Sequence, residues 1–167
     1  MSKMNEIRIE KVNLSIGTGQ AGDPLDKAVK LIEAIGGSKA IQTVTSKRIP
    51  TWNVRPGLAV GCLVTLRKKK TDVLKNLLIA IKNKLKKSQF SGRTITFGVP
   101  EYIDIPEVRY DPEIGIIGLQ VSVTLERPGF RVARRSTKKS KIGKKNQITS
   151  EETIEFMKNK FNIEVEE

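Results

Sequence analysis

Gly17, Gly19 and Gly22 lie in the stretch SIGTGQAGDP as G-x-G-x-x-G, between a strand-like run and a helix-like one. In that context glycines can make a tight turn and bring a pyrophosphate onto the amides of a helix N-terminus. The neighbouring residues argue against such a cradle. Asp23 puts a carboxylate where the phosphate would sit, and Pro24 removes an amide donor. The fingerprint also needs an acid about 20 residues further on to hold a ribose, but IQTVTSKR ends in Lys47-Arg48. A nucleotide-dependent oxidoreductase using the Gly17–Gly22 turn is therefore the weaker reading. The stretch reads better as a strand end, a glycine turn and a helix start, with Asp23 as cap and Pro24 at the first helical position.

Other catalytic chemistry has little to work with. The chain has no histidine and a single cysteine, Cys62. That excludes zinc sites and the Cys–His and Ser–His–Asp arrangements as usually built. Carboxylate or lysine chemistry stays open, but nothing singles out a pair. We expect no enzyme activity, no cofactor and no metal. One cysteine also rules out a disulfide framework and fits a reducing compartment. Lys and Arg number 31 against 18 Asp and Glu, a net charge of +13, so a polyanion is the default partner. Aromatics make up 5% of the chain, too few for base stacking to be the main binding mode. No apolar run approaches the roughly 20 residues of a membrane span, and the opening MSKMNEIRIE has no signal-peptide core. A soluble, cytoplasmic protein with no membrane partner is expected.

Two-residue alternation marks the strands. Val12, Leu14 and Ile16 oppose Lys11, Asn13 and Ser15, while Thr43, Thr45 and Lys47 share a face of 41–47. Val60, Cys62, Val64 and Leu66 oppose Gly61, Leu63, Thr65 and Arg67. Ile95, Phe97 and Val99 oppose Thr94, Thr96 and Gly98, and Leu119, Val121, Val123 and Leu125 oppose Gln120, Ser122 and Thr124. Such alternation predicts an antiparallel or mixed sheet with one covered and one open face. Helical spacing supplies the cover. Leu25, Ala28, Val29, Ile32 and Ile35 form a stripe ended by Gly36-Gly37, and Leu74, Leu77, Leu78, Ile81 and Leu85 form another from about Asp72. A third helix begins at the Thr149 capping box, with Ile154, Met157 and Phe161 inside. The predicted order is β-α-β-β-α-β-β-α with irregular structure over 100–117. This is an α+β fold, one domain over 1–167, with helices on one face and long basic loops at about 46–57 and 127–148.

Charge is segregated. Residues 127–145 hold nine basic side chains and no acid: Arg127, Arg131, Arg134, Arg135, Lys138, Lys139, Lys141, Lys144 and Lys145. Residues 66–93 hold ten, including Lys68, Lys69 and Arg93, against the single acid Asp72. Combined with a polar open face, these blocks point to RNA or DNA rather than to a solvated surface alone.

The motifs KVNLSIGTGQAGD, TSKRIPTWNVRPG, AVGCLVTLR and PEVRYDPEIGIIGLQVSV together resemble the fifth large-subunit ribosomal protein, the family that binds 5S rRNA. The likeness runs in order along almost the whole chain. The segment RPGFRVARRSTKKSKIGKKNQITSEE resembles the archaeal and eukaryotic branch. The resemblance implies a non-catalytic scaffold of the central protuberance. Such a protein attaches 5S rRNA to the large-subunit rRNA, meets a small-subunit protein at an intersubunit bridge and approaches the P-site tRNA. It also implies that Asn13, Thr65 and Trp52 are 5S rRNA contacts. Ser38 stands where the family often has Gln, and the loop Ser46–Gly57 matches the one that reaches toward tRNA.

The residues support a backbone-reading interface independently. Lys11, Asn13, Ser15, Thr43, Thr45, Lys47, Thr65 and Arg67 are expected on the open face, where amides and hydroxyls bond riboses and cations bond phosphates. Ser38 and Arg93 join them as candidate rRNA contacts. Lys47, Arg48, Trp52, Asn53 and Arg55 form the candidate tRNA-facing loop, and Arg131, Arg134, Arg135, Lys138, Lys139, Lys141, Lys144 and Lys145 the basic extension. Each has a plainer alternative. Asn13 and Thr65 can be solvated strand residues, Trp52 a small core under its loop, Arg67 the partner of a nearby acid, and Cys62 a small buried strand residue. A basic RNA-binding assembly factor, or a protein-interaction module kept soluble by its charge, would share much of this pattern.

Overall fold

Alternation in the first strand sets the architecture. The computed structural model describes residues 4–67 and 70–166. In it, β1 (Arg8–Gly17) buries Val12, Leu14 and Ile16 and turns Lys11, Asn13 and Ser15 to the other side. It lies inside a six-stranded sheet with β2 (Ile41–Val44), β3 (Ala59–Leu66), β5 (Phe90–Ser91), β6 (Thr94–Val99) and β7 (Leu119–Glu126), in the order β2-β3-β1-β7-β6-β5. Every pairing in this sheet is antiparallel. The predicted α+β class holds, with one face covered. Cys62, Val64 and Leu66 of β3, Ile95, Phe97 and Val99 of β6, and Leu119, Val121, Val123 and Leu125 of β7 all enter one core.

Helices α1 (Asp23–Gly36) and α2 (Lys70–Ala80) close that side with Leu25, Ala28, Leu31, Ile32, Leu74, Leu77 and Leu78. At Gly36 the two layers come so close that a Cβ would lie 3.1 Å from a Val64 methyl and 3.8 Å from a Leu14 methyl. Gly37, in the left-handed region at φ 58°, ends α1 and donates to the Glu33 carbonyl. At the other end Asp23 does not cap as expected. Gly22 takes the N-cap position at φ 99°, and its carbonyl accepts from Leu25 and Asp26.

The second helical stripe extends further in sequence than the helix does in the structure. α2 stops at Ala80, because Lys82 and Asn83 take left-handed φ values of 56°. Leu85 is buried, as a helix would bury it, but it belongs to β4 (Lys84–Lys86), which pairs in parallel with β8 (Glu164–Glu166). The short strands β4, β5 and β8 and the single turn of α3 (Arg131–Arg134) have no counterpart in the predicted order. The irregular stretch 100–117 holds one 3-10 turn, Tyr102–Asp104, anchored by the fully buried Tyr102, whose hydroxyl accepts the Asp111 N–H at 3.1 Å. Among the described residues no helix is long and apolar enough to cross a membrane.

The last helix, α4 (Ser150–Phe161), starts at the predicted capping box: Thr149 Oγ1 accepts from Glu152 N and Glu152 Oε2 from Thr149 N. Buried Thr153 ties it to the β5–β6 turn by donating to the Gly92 carbonyl at 2.8 Å. Burial raises the Glu152 carboxyl, but the Thr149 N–H and the Arg127 guanidinium outweigh it and hold the group below its ordinary value.

A Cβ on Gly61 would lie 2.8 Å from the Ile16 carbonyl oxygen and 2.9 Å from Thr43 Oγ1. Gly61→Ala should therefore cost about 1–3 kcal/mol in urea unfolding. Thr149→Ala should cost about 1 kcal/mol. Because the Glu152 value is lowered on folding, its contribution is complete above the ordinary carboxylate range and fades as pH falls through the lowered value. The wild-type advantage over a Glu152→Gln protein should shrink in the same acid window.

Candidate nucleic-acid interface

Strand register assembles the open face. Asn13 stands opposite Thr65 on β3 and Ser122 on β7, and Ser122 stands opposite Thr96 on β6. The next row toward the end of β1 runs Ile41, Leu63, Ser15, Gln120 and Gly98. On the other side of Asn13, Lys11 faces Thr124, which faces Thr94. Of the nominated rRNA contacts, Lys11, Asn13, Ser15, Thr43 and Thr65 share this surface, and exposed Arg67 follows the end of β3. Lys68 and Lys69 lie outside the described residues. Asn13 Oδ1 is buried and has no hydrogen-bond partner among the described residues. The Thr96 and Ser122 hydroxyls lie 3.3 Å apart. The face is not wholly polar: half-buried Leu63 and exposed Ile41 occupy its β3–β2 side.

Arginines cover one end of this surface. A bulge between Ile9 and Lys11 leaves Glu10 beside Glu126, and both side chains are only 8% exposed. Arg8 Nη2 and Arg134 Nη2 each lie 2.7 Å from a different Glu126 oxygen, Arg134 Nη1 bonds Glu10, and Arg93 Nη1 reaches Glu10 at 3.9 Å. Arg93 also stacks over Phe130, 5.7 Å from the ring centre, and Phe130 is buried in the core. Each of the two enclosed carboxylates is thus paired and hydrogen-bonded, which offsets the cost of its burial. Two nominated cations, Arg93 and Arg134, therefore have acid partners within the protein, although about half of each side chain stays exposed. Arg127 pairs with Glu152, at 2.8 Å. In the extension, Arg131, Arg135, Lys138, Lys139, Lys141, Lys144 and Lys145 are exposed, and Arg135 Nε is held by the Lys138 carbonyl.

Residues 46–57 form a loop closed on itself. β2 ends at Val44, after a bulge, rather than continuing to Lys47. Thr45 consequently leaves the open face: its hydroxyl donates to the Arg55 and Leu58 carbonyls and ties the loop's base. A bridge between Ile49 and Val54 closes the tip, with Pro50–Trp52 in a 3-10 turn and Asn53 left-handed at φ 53°. Val54, 4% exposed, is the residue that anchors the loop, whereas Trp52 is 72% exposed. Lys47, Arg48, Asn53 and Arg55 are exposed around it. Ser38 is exposed in the turn after α1, away from the paired rows.

Part of the glycine turn is already occupied. The amides of Thr18 and Gly19 both donate to the Val60 carbonyl, at 2.9 and 3.1 Å, so donors that would hold a pyrophosphate are already used. The antiparallel sheet also lacks the crevice between diverging parallel strands that dinucleotides occupy. Burial pushes the Cys62 thiol up, against a backbone hydrogen bond at Ile16, which leaves it a packed strand residue with little thiolate.

Thr94, Thr96, Gln120 and Ser122 are candidate contacts that sequence reasoning missed. Their alternation is visible, but only the strand order sets β7 and β6 beside Asn13. The Arg8–Glu126 and Arg134–Glu10 pairs leave no local signal, because each spans most of the chain.

Known proteins share this whole arrangement of segments. A family profile described as Ribosomal protein L5 matches residues 2–55, and a profile for the C-terminal part of the same family matches residues 59–156. The chain is 46% identical to the large ribosomal subunit protein uL5 of Nanoarchaeum equitans over 97% of both chains. It is 42% identical to the protein of that name in Sulfurisphaera tokodaii, over all of this chain and 96% of that one. For Methanobrevibacter smithii the figure is 38%, over 98% of this chain and 97% of that one. The matches take in the glycine turn, the loop, the sheet and the basic extension together, and so this chain belongs to the ribosomal protein L5 family, as a structural constituent of the ribosome and not an enzyme.

Proposed function

We propose that the protein holds 5S rRNA against the large-subunit rRNA in the central protuberance of the large subunit, using the open face of its sheet. The observation that carries this reading is the row of Thr65, Asn13 and Ser122, an amide between two hydroxyls on the face opposite the apolar core. Around it stand Lys11 and Arg67, in a chain of net charge +13. Hydroxyls and amides at that spacing suit riboses and base edges, while the cations suit phosphates. The face lacks the aromatics that stack bases in sheets of the RNA-recognition-motif type, so shape and backbone carry recognition. The exposed Lys47, Arg48, Trp52, Asn53 and Arg55 point the loop at a further RNA, the P-site tRNA. Neighbouring ribosomal proteins, including a small-subunit protein at an intersubunit bridge, complete the partners of this cytoplasmic, ribosome-bound scaffold.

Gel shift with 5S rRNA across a salt series tests the reading directly. Affinity should fall steeply and linearly on logarithmic axes as phosphate contacts are screened. Asn13→Ala and Arg67→Ala should each weaken binding by roughly 1–3 kcal/mol; unchanged affinity in both would reject the open-face interface. Arg131→Ala or Lys138→Ala should lower the salt slope by about 1. Arg134→Ala should act mainly on thermal stability, since it frees two enclosed carboxylates. Low-micromolar binding of NAD in calorimetry would instead revive the glycine-turn reading.

A further inference from the structure

Gly98 has no reason within the fold to be glycine. It lies inside β6, where glycine weakens a strand and a β-branched residue would strengthen it. Its φ is not positive, and a Cβ built on it would meet no atom of the described residues within 4 Å. It is exposed on the open face, opposite exposed Gln120, which in turn stands opposite Ser15. Accessibility along this half of the sheet is graded. Thr124 is buried at the arginine-covered end, Ser122 and Thr96 are half-buried, and Gln120 and Gly98 are exposed. Beside Ser122, Asn13 Oδ1 is enclosed and without a partner among the described residues, so hydrogen bonding on this face is incomplete within the protein.

We propose that the RNA-contacting surface continues from Asn13 across β7 and β6, with Ser122 and Gln120 bonding ribose and phosphate oxygens and Gly98 kept bare so that the sugar–phosphate backbone lies against the sheet. This rests on the RNA-binding reading above and adds a specificity-determining position to it. A strand glycine that costs stability and relieves no internal clash is accounted for by close approach of a ligand. The flanking groups are an amide and hydroxyls with no acid in the rows, which suits a polyanion backbone better than an apolar protein segment.

Gly98→Val separates folding from binding because the two should move in opposite directions. Thermal melting should be unchanged or raised, whereas 5S rRNA affinity in the same gel shift should drop about tenfold or more, with a smaller loss for Gly98→Ala. Wild-type affinity in a folded Gly98→Val protein overturns the proposal. So does a valine variant that fails to fold, since open space over β6 means that the strand accepts a side chain there. If the wild-type chain itself shows no salt-sensitive 5S binding, the functional reading fails and this inference with it. Wild-type binding that is insensitive to Gly98→Val discards only the extension across β7 and β6.

Discussion

β1 is hydrogen-bonded along both edges, to β3 and to β7, and that double pairing decides which way every other strand faces. Side chains alternate with a period of two, so a one-residue slip at either edge would carry Val12, Leu14 and Ile16 into solvent and Asn13 into the core. The apolar side is fixed by α1 and α2, whose leucines and isoleucines have no other place to be buried. The polar side is fixed as its complement. The candidate interface is thus a by-product of core packing: the force that places Asn13 between Thr65 and Ser122 is the burial of Leu14 behind it.

Electrostatics then divides that surface. The net charge of +13 suggests a uniformly basic protein, but its cations do two different jobs. Arg8, Arg134 and Arg93 converge on two enclosed carboxylates at the β1 bulge, and Arg127 closes the start of α4. These pairs fold the beginning of the basic extension onto the sheet. The remaining lysines and arginines of the extension, with those of the loop around Trp52, are exposed and in no ion pair among the described residues. Total charge therefore overstates the charge that an RNA meets.

Much of this is legible in the residues. Alternation in β1, β3, β6 and β7 reports burial directly, and the Thr149 capping box and the Gly36-Gly37 stop carry their own local chemistry. Sequence misleads where two structures bury the same residue. Leu85 satisfies a helical stripe and a short strand equally, and only a partner from residues 164–166 selects the strand. Thr45 continues the alternation of β2 in sequence, but the bulge after Thr43 turns its hydroxyl into the base of the loop. Ser122 and Gln120 face the expected way and yet are not marked out as contacts, because sequence does not reveal which strand lies next to which. Arg134 looks like a free cation for the same reason, since it joins Glu10 of distant β1 to Glu126, which stands only eight positions before it.

The arrangement around β1 also sets the order of folding. The β1–β3 pair closes a loop of moderate length, but the β1–β7 pair joins residues as far apart as Arg8 and Glu126, 118 positions along the chain. Such distant pairings form slowly, because the entropy of closing the loop is lost before the contacts are gained. On a ribosome making this chain, the first strand to emerge waits with one edge unpaired until about three-quarters of the chain has been made. Until then Val12, Leu14 and Ile16 have only part of their cover, and the polar face has neither its β7 row nor its arginine-clamped end. A protein built to join RNA thus acquires its complete surface only late in its own synthesis.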